Sequence, residues 1–70
     1  MSTKLVFDCL NAAKNNYQHG VIKTATNFYN FNFVRNLESI KYEANTIIIY
    51  DGISKLYIDC SSIVSIEITK

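Results

Sequence analysis

The hydrophobic pattern changes period once along this chain, and that change limits the folds open to it more than any other feature. In residues 2–19, "STKLVFDCLNAAKNNYQH", Val6, Leu10, Ala13 and Tyr17 recur at helical spacing, while Leu5, Cys9 and Ala12 widen the apolar stripe. Ser2 or Thr3 can accept hydrogen bonds from the free amides of a first turn, and Gly20 can turn left-handed just past the end. The spacing therefore predicts one amphipathic helix over about 3–19. A strand over "KLVFDCL" has the β-propensity to compete, but the small "NAA" that follows continues a helix better. From Val21 onward the period is two, so the rest of the chain, to about residue 69, reads as strands.

The β-branched run "VIKTATN" marks a first strand over roughly 21–27. Next comes "NFYNFNF", residues 27–33, in which Tyr29, Phe31 and Phe33 point one way and Asn30, Asn32 and Val34 the other. Such a row of rings serves either as a base-stacking surface or as the inner face of a sheet. Stacking platforms carry interleaved Lys or Arg, whereas here the interleaved side chains are asparagines, which bond base edges or protein but neutralise no phosphate. A short chain also needs its largest side chains for its core, which favours the inner-face reading. Leu37 continues the odd series but Ile40 and Tyr42 are even, so a bulge or bend over about 35–39 is expected, as at the corner of a small barrel.

Asp51 and Gly52 stand between two strand-like runs in "NTIIIYDGISKLYID" and predict a two-residue type I′ turn pairing Tyr50 with Ile53. Ile47, Ile49, Leu56 and Ile58 then share one face, and Ile48, Tyr50, Ile53, Lys55 and Tyr57 the other. Because both faces are apolar, the second calls for cover from the helix, from barrel closure or from another subunit. After a turn at Ser61 and Ser62, the last strand "IVSIEITK" sets Val64, Ile66 and Ile68 inward and Ser65, Glu67 and Thr69 outward. The expected fold class is α+β, mainly β: an N-terminal helix followed by a strongly curved antiparallel meander of about five strands, forming a small barrel.

With 70 residues the chain makes a single domain, and one of this size buries only about 60% of its unfolded surface. Reinforcement from outside the core is therefore expected. Metal is not expected to supply it, because His19, the distant Cys9 and Cys60 and the scattered carboxylates do not suggest the four close ligands of a structural site. Two cysteines and no leader segment suggest reduced thiols in a cytoplasmic protein. Self-association remains, with a hydrophobic content of 49% to support it, so a homo-oligomer is expected.

Seven Lys and Arg against six Asp and Glu leave no basic stripe, which disfavours non-specific duplex binding by a monomer. A symmetric ring could still gather Lys23, Arg35, Lys41 or Lys55 on one face. No apolar run approaches the roughly 20 residues needed to cross a bilayer, so no membrane role is expected. The Asn, Ile, Lys and Tyr content, with no Pro or Trp, fits an AT-rich coding region and points to a low-GC bacterium or its phages.

Chemistry has little to work with. Asp59 and Cys60 are adjacent in "DCSSI", but neighbours on a strand face opposite ways and the single histidine is distant. His19 suits a helix C-terminus, Cys9 a helix core face, and two glycines make no phosphate cradle. Neither an enzyme nor a cofactor site is expected.

The order of helix, curved strands and hairpin, with "TIIIYDGISKLYIDCSSIVSIEI" at its end, resembles the Sm-like family across most of the chain, at the level of topology. The resemblance implies a ring closed by strand pairing between subunits, and RNA contact near Asn45, which falls at the family's polar base-contact position. The Lys-His pair of the bacterial branch and the Arg-Gly or Lys-Gly of the archaeal and eukaryotic branch are replaced here by "DCSS". Two functions are thus expected to compete. One is a non-catalytic protein-interaction module, regulatory or accessory. The other is an oligomeric single-stranded RNA binder using Tyr29, Asn30, Phe31, Asn32 and Asn45.

Overall fold

The computed structural model describes residues 1–34 and 39–69. Helix α1 spans Thr3–Asn15, with the Ser2 hydroxyl accepting from the Leu5 amide at 3.1 Å. Val6, Leu10 and Ala13 are its buried face, the spacing expected for an amphipathic helix. Its end differs from expectation. Asn16 caps the helix, Tyr17 takes the left-handed conformation at φ 54°, and the Tyr17 and Gln18 amides donate back to the carbonyls of Lys14 and Ala13. These are the two bonds of a Schellman motif, built on a tyrosine rather than a glycine. Tyr17 consequently leaves the apolar stripe and is exposed.

Gly20 instead lies inside strand β1, His19–Thr24. It stands between Phe31 on one neighbouring strand and Ile68 on the other. A Cβ here would collide with the carbonyl oxygen of Glu67 and come within 2.8 Å of the Phe31 ring. Glycine is required by close approach and not by a turn.

Five further strands follow: β2, Phe28–Asn32; β3, Ser39–Glu43; β4, Thr46–Tyr50; β5, Lys55–Asp59; and β6, Ile63–Thr69. They form two antiparallel three-stranded sheets, ordered β2-β1-β6 and β3-β4-β5. The protein is thus α+β, mainly β, but the sheet is not one meander of five strands, and no closed barrel is formed among the described residues. After β5 the chain does not pair with its predecessor. A short 3-10 turn, Cys60–Ser62, redirects it so that β6 runs beside β1.

The aromatic stretch has the expected phase. Phe31 and Phe33 are buried and their centroids lie 5.2 Å apart, Tyr29 is half-buried against them, and Asn30, Asn32 and Val34 are exposed. Asn27 falls in the β1–β2 turn, where its amide and carbonyl bond Thr24. The bend expected over about 35–39 lies mostly outside the described residues.

The β4–β5 hairpin departs from the predicted turn. Tyr50 pairs with Lys55, not Ile53, so the loop has four residues, 51–54. Both Asp51 carboxylate oxygens hold it: Oδ1 accepts from the Ile53 and Ser54 amides at 2.9 and 2.8 Å, and Oδ2 from the Ser54 hydroxyl. Gly52, at φ 95°, supplies the positive φ. The register moves by two, an even step, so Ile47, Ile49, Leu56 and Ile58 still share one face.

That face meets α1, whose Phe7 ring stands 4.9 Å from Tyr42. The core combines Val6, Leu10 and Ala13 with Ile22, Phe31, Phe33, Ile47, Ile49, Ile58, Cys60 and Ile63. Burying each of the large aliphatic and aromatic side chains contributes about 1.5–3 kcal/mol.

Candidate functional site

Where a partner can be met follows from which backbone and side chains the two sheets leave open. Among the described residues, β2, β3, β5 and β6 each have a strand neighbour on one side only, and of these β5 and β6 bracket a turn that is described in full. The two edges are consecutive in the chain and joined by the Cys60–Ser62 turn. Strand β6 has seven residues and contains no proline, and its one charged side chain, Glu67, is held by Lys23 at 2.7 Å across the β1–β6 pair. It has few of the devices by which edge strands avoid pairing.

Strand β6 also fails to bury the side chains expected inward. Val64 is 67% exposed and Ile68 38%, with Ile66 half-buried on the core and Ile63 buried. Between Lys23 and Thr24 the β1–β6 register shifts, leaving Val64 as an extra residue on β6. Such a bulge rotates Ile63 inward where simple alternation would have chosen Val64. Two adjacent apolar residues, Ile63 and Val64, following a turn were the signal available for it.

The turn between the edges is fixed by its own polar groups. The Ser61 amide and hydroxyl donate to the Asp59 carboxylate at 2.9 and 2.8 Å, and the Ser62 hydroxyl donates to the Asp59 carbonyl. The Ser61 amide, then its hydroxyl, then the nearby N-terminal charge hold the Asp59 carboxyl below its ordinary value. The N-terminal ammonium donates to the Cys60 carbonyl at 3.2 Å, tying the start of the chain to the same turn.

The residues proposed from sequence for partner contact do not form one surface. The Phe31 ring is buried, with 3% exposure, and presents no face to a ligand. Tyr29 is half-buried, its hydroxyl accepting from Asn27 Nδ2 at 3.3 Å. Asn32 is exposed but folds its carbonyl oxygen onto the Val34 amide at 2.9 Å. Asn30 lines an open cleft of about 280 Å³ with Ile49, Asp51, Ser54, Lys55 and Leu56, at the tip of the β4–β5 hairpin. Asn45 lies at the other end of β4, where its carbonyl accepts from the Cys60 amide at 2.7 Å. Asn30 and Asn45 therefore mark opposite ends of the second sheet, while Asn45 adjoins the Asp59–Ser62 turn.

The two thiols, half-buried Cys9 and buried Cys60, are free. His19 pairs with Thr69 at the far end of β6, about 20 Å along that strand from Ile63, which follows the Cys60–Ser62 turn. Among the described residues, no group of three or more His, Cys, Asp or Glu is placed to hold a metal ion. Among the described residues, no helix is long and apolar enough to cross a membrane.

No protein-family model, curated protein or solved structure matches the chain.

Proposed function

We propose that this chain is a non-catalytic binding module of a bacterium or phage, a small cytoplasmic regulatory or accessory protein that associates with copies of itself and with a protein partner by strand addition at β5 and β6. The observation that carries the reading is the β6 edge: seven residues long, with Val64 and Ile68 exposed beside a row of backbone groups that lacks a second neighbour. The site chemistry agrees, since Cys60 is buried and the Asp59 carboxylate beside it in sequence is engaged by Ser61. The test is mass in solution across concentration, for the native chain and for Val64→Lys with Ile68→Lys. Association by the native chain and a monomeric double variant are expected. A native chain that stays monomeric to high concentration and offers no edge to a strand peptide would overturn the reading.

A second reading, an Sm-like barrel assembled into an RNA-binding ring, is favoured by one observation. The Asn45 turn and the Asp59–Ser62 turn are joined by a hydrogen bond, which gathers a polar corner beside the free edges. Against it, the Asp59 carboxylate stays ionised at that corner and repels phosphate. A hexamer or heptamer whose RNA affinity falls with Asn45→Ala would establish this reading over the first.

A further inference from the structure

The register of the second sheet brings together residues that lie far apart in the chain. On the face turned away from α1, three rows cross the strands: Ser39, Tyr50 and Lys55; Lys41, Ile48 and Tyr57; Glu43, Thr46 and Asp59. The first two rows contain two tyrosines and two lysines and no carboxylate. Tyr57 is 59% exposed and Tyr50 39%, and both lysines are exposed, whereas Ile48 between them is buried and forms the floor.

We propose that this face is a binding platform for single-stranded nucleic acid. Its geometry is that of a stacking site. Tyr50 and Tyr57 are diagonal neighbours on adjacent strands, about 7–8 Å apart, which leaves room for two successive bases of an extended strand. The Tyr50 ring is held in place before any ligand arrives: its hydroxyl donates to the Gly52 carbonyl at 3.2 Å and the Lys55 ammonium stands 5.7 Å from its centroid. Lys55 and Lys41 flank the ring pair diagonally, placing a cation on either side of the path a phosphate backbone would follow. Their charge selects the occupant, because an apolar protein surface gains nothing from covering two ammonium groups, whereas a polyanion gains two contacts. The carboxylates of Glu43 and Asp59 border the platform in the third row and confine the strand to the first two. The site rests on neither reading of the β5 and β6 edges, since those use backbone groups in the plane of the sheet and this one uses side chains above it.

The experiment is fluorescence anisotropy of labelled single-stranded RNA and DNA octamers, uridine-rich and adenine-rich, titrated with the full chain. Binding at low salt is expected, with log affinity falling against log salt at a slope of about −1.4 for two neutralised phosphates. Tyr57→Ala or Tyr50→Ala should weaken binding about 5- to 150-fold, the range for one stacked base, while Tyr57→Phe retains it. Lys41→Gln or Lys55→Gln should lower the salt slope by about 0.7 each, and Glu43→Gln should tighten binding. Lys4→Gln, which removes an equal charge from the helix, should leave the titration unchanged. Absence of binding at low salt, or tyrosine variants that are folded by circular dichroism and bind like the native chain, would overturn the proposal. Loss on Asn45→Ala with the tyrosine variants unaffected would assign binding to the Asp59–Ser62 corner, and equally overturn it.

Discussion

Substituting Gly20 by alanine separates two physical accounts of the same residue by the sign of the effect. Glycine in a strand interior costs about 0.5–1 kcal/mol relative to alanine through the conformational entropy it loses, and Gly20 does not use positive φ. Propensity alone therefore predicts that Gly20→Ala stabilises the domain. Contact predicts the reverse, because the new methyl meets the Glu67 carbonyl, a backbone atom, and the Phe31 Cζ at 2.8 Å. The ring can tilt at modest cost, but the carbonyl moves only if β6 moves away from β1. Overpacking of this kind costs about 1–3 kcal/mol or more, and loss of ladder hydrogen bonds adds to it, so a loss of about 3 kcal/mol is expected. For a domain of this size, each kcal/mol shifts Tm by about 4–8 °C, so thermal unfolding followed by circular dichroism should fall by about 12–24 °C. Adding Phe31→Leu relieves the ring contact and leaves the carbonyl contact, so it should not rescue Gly20→Ala. A Gly20→Ala protein with unchanged or raised Tm would refute the close packing of β6 on β1, and with it the two-sheet topology.

Two further outcomes follow from local geometry. The Asp51 carboxyl is held below its ordinary value by the Ser54 and Ile53 amides, and that of Asp59 by Ser61, so both contribute stability that is fully present above the unfolded value of about 3.8 and is lost as pH falls toward their lower folded values. Asp51→Asn and Asp59→Asn should each flatten the acid limb of a stability-against-pH curve below about pH 5 without changing its slope above pH 6. Ala44 sits in the β3–β4 turn at φ 50°, where a non-glycine residue costs about 1–2 kcal/mol, against the 0.4–1 kcal/mol that glycine adds to unfolded-chain entropy. Ala44→Gly should therefore stabilise the domain by about 0.5–1 kcal/mol in denaturant melts.

What could be read from the sequence was local or depended only on parity. The helix face of Val6, Leu10 and Ala13 and the inward phase of Phe31 and Phe33 follow from periods of 3.6 and 2, which no tertiary contact has to supply. The hairpin faces survived a wrong turn length because the error was two residues, and side chains on a strand repeat every two. The features that were not legible are all set by distant partners. Gly20 is required by Glu67 and Phe31, the bulge at Val64 depends on how β6 meets Thr24, and the return of β6 to β1 pairs residues far apart in the chain, from Thr24 with Ile63 to His19 with Thr69. The helix end is an exception of another kind: Asn16, whose side chain also donates to the Ala12 carbonyl at 2.9 Å, was a local stop signal, but the more familiar glycine outweighed it.

The same distinction explains why the aromatic row of β2 has the composition of a stacking surface in the sequence but lies in the core. Consecutive rings such as Tyr29, Phe31 and Phe33 are visible in one dimension, but a small domain turns its longest row of rings inward because nothing else fills the core as well. Rings left for a ligand come singly from several strands, as Tyr50 and Tyr57 do, and acquire their lysine neighbours only through cross-strand register. Association at β5 would not compete for this surface, since it would set another strand beside Tyr57 in the plane of the sheet and repeat the platform from one copy to the next. Weak contacts by single copies would then add along one strand of nucleic acid. Affinity should rise steeply with oligonucleotide length in the associated native chain, and only weakly in the Val64→Lys, Ile68→Lys variant.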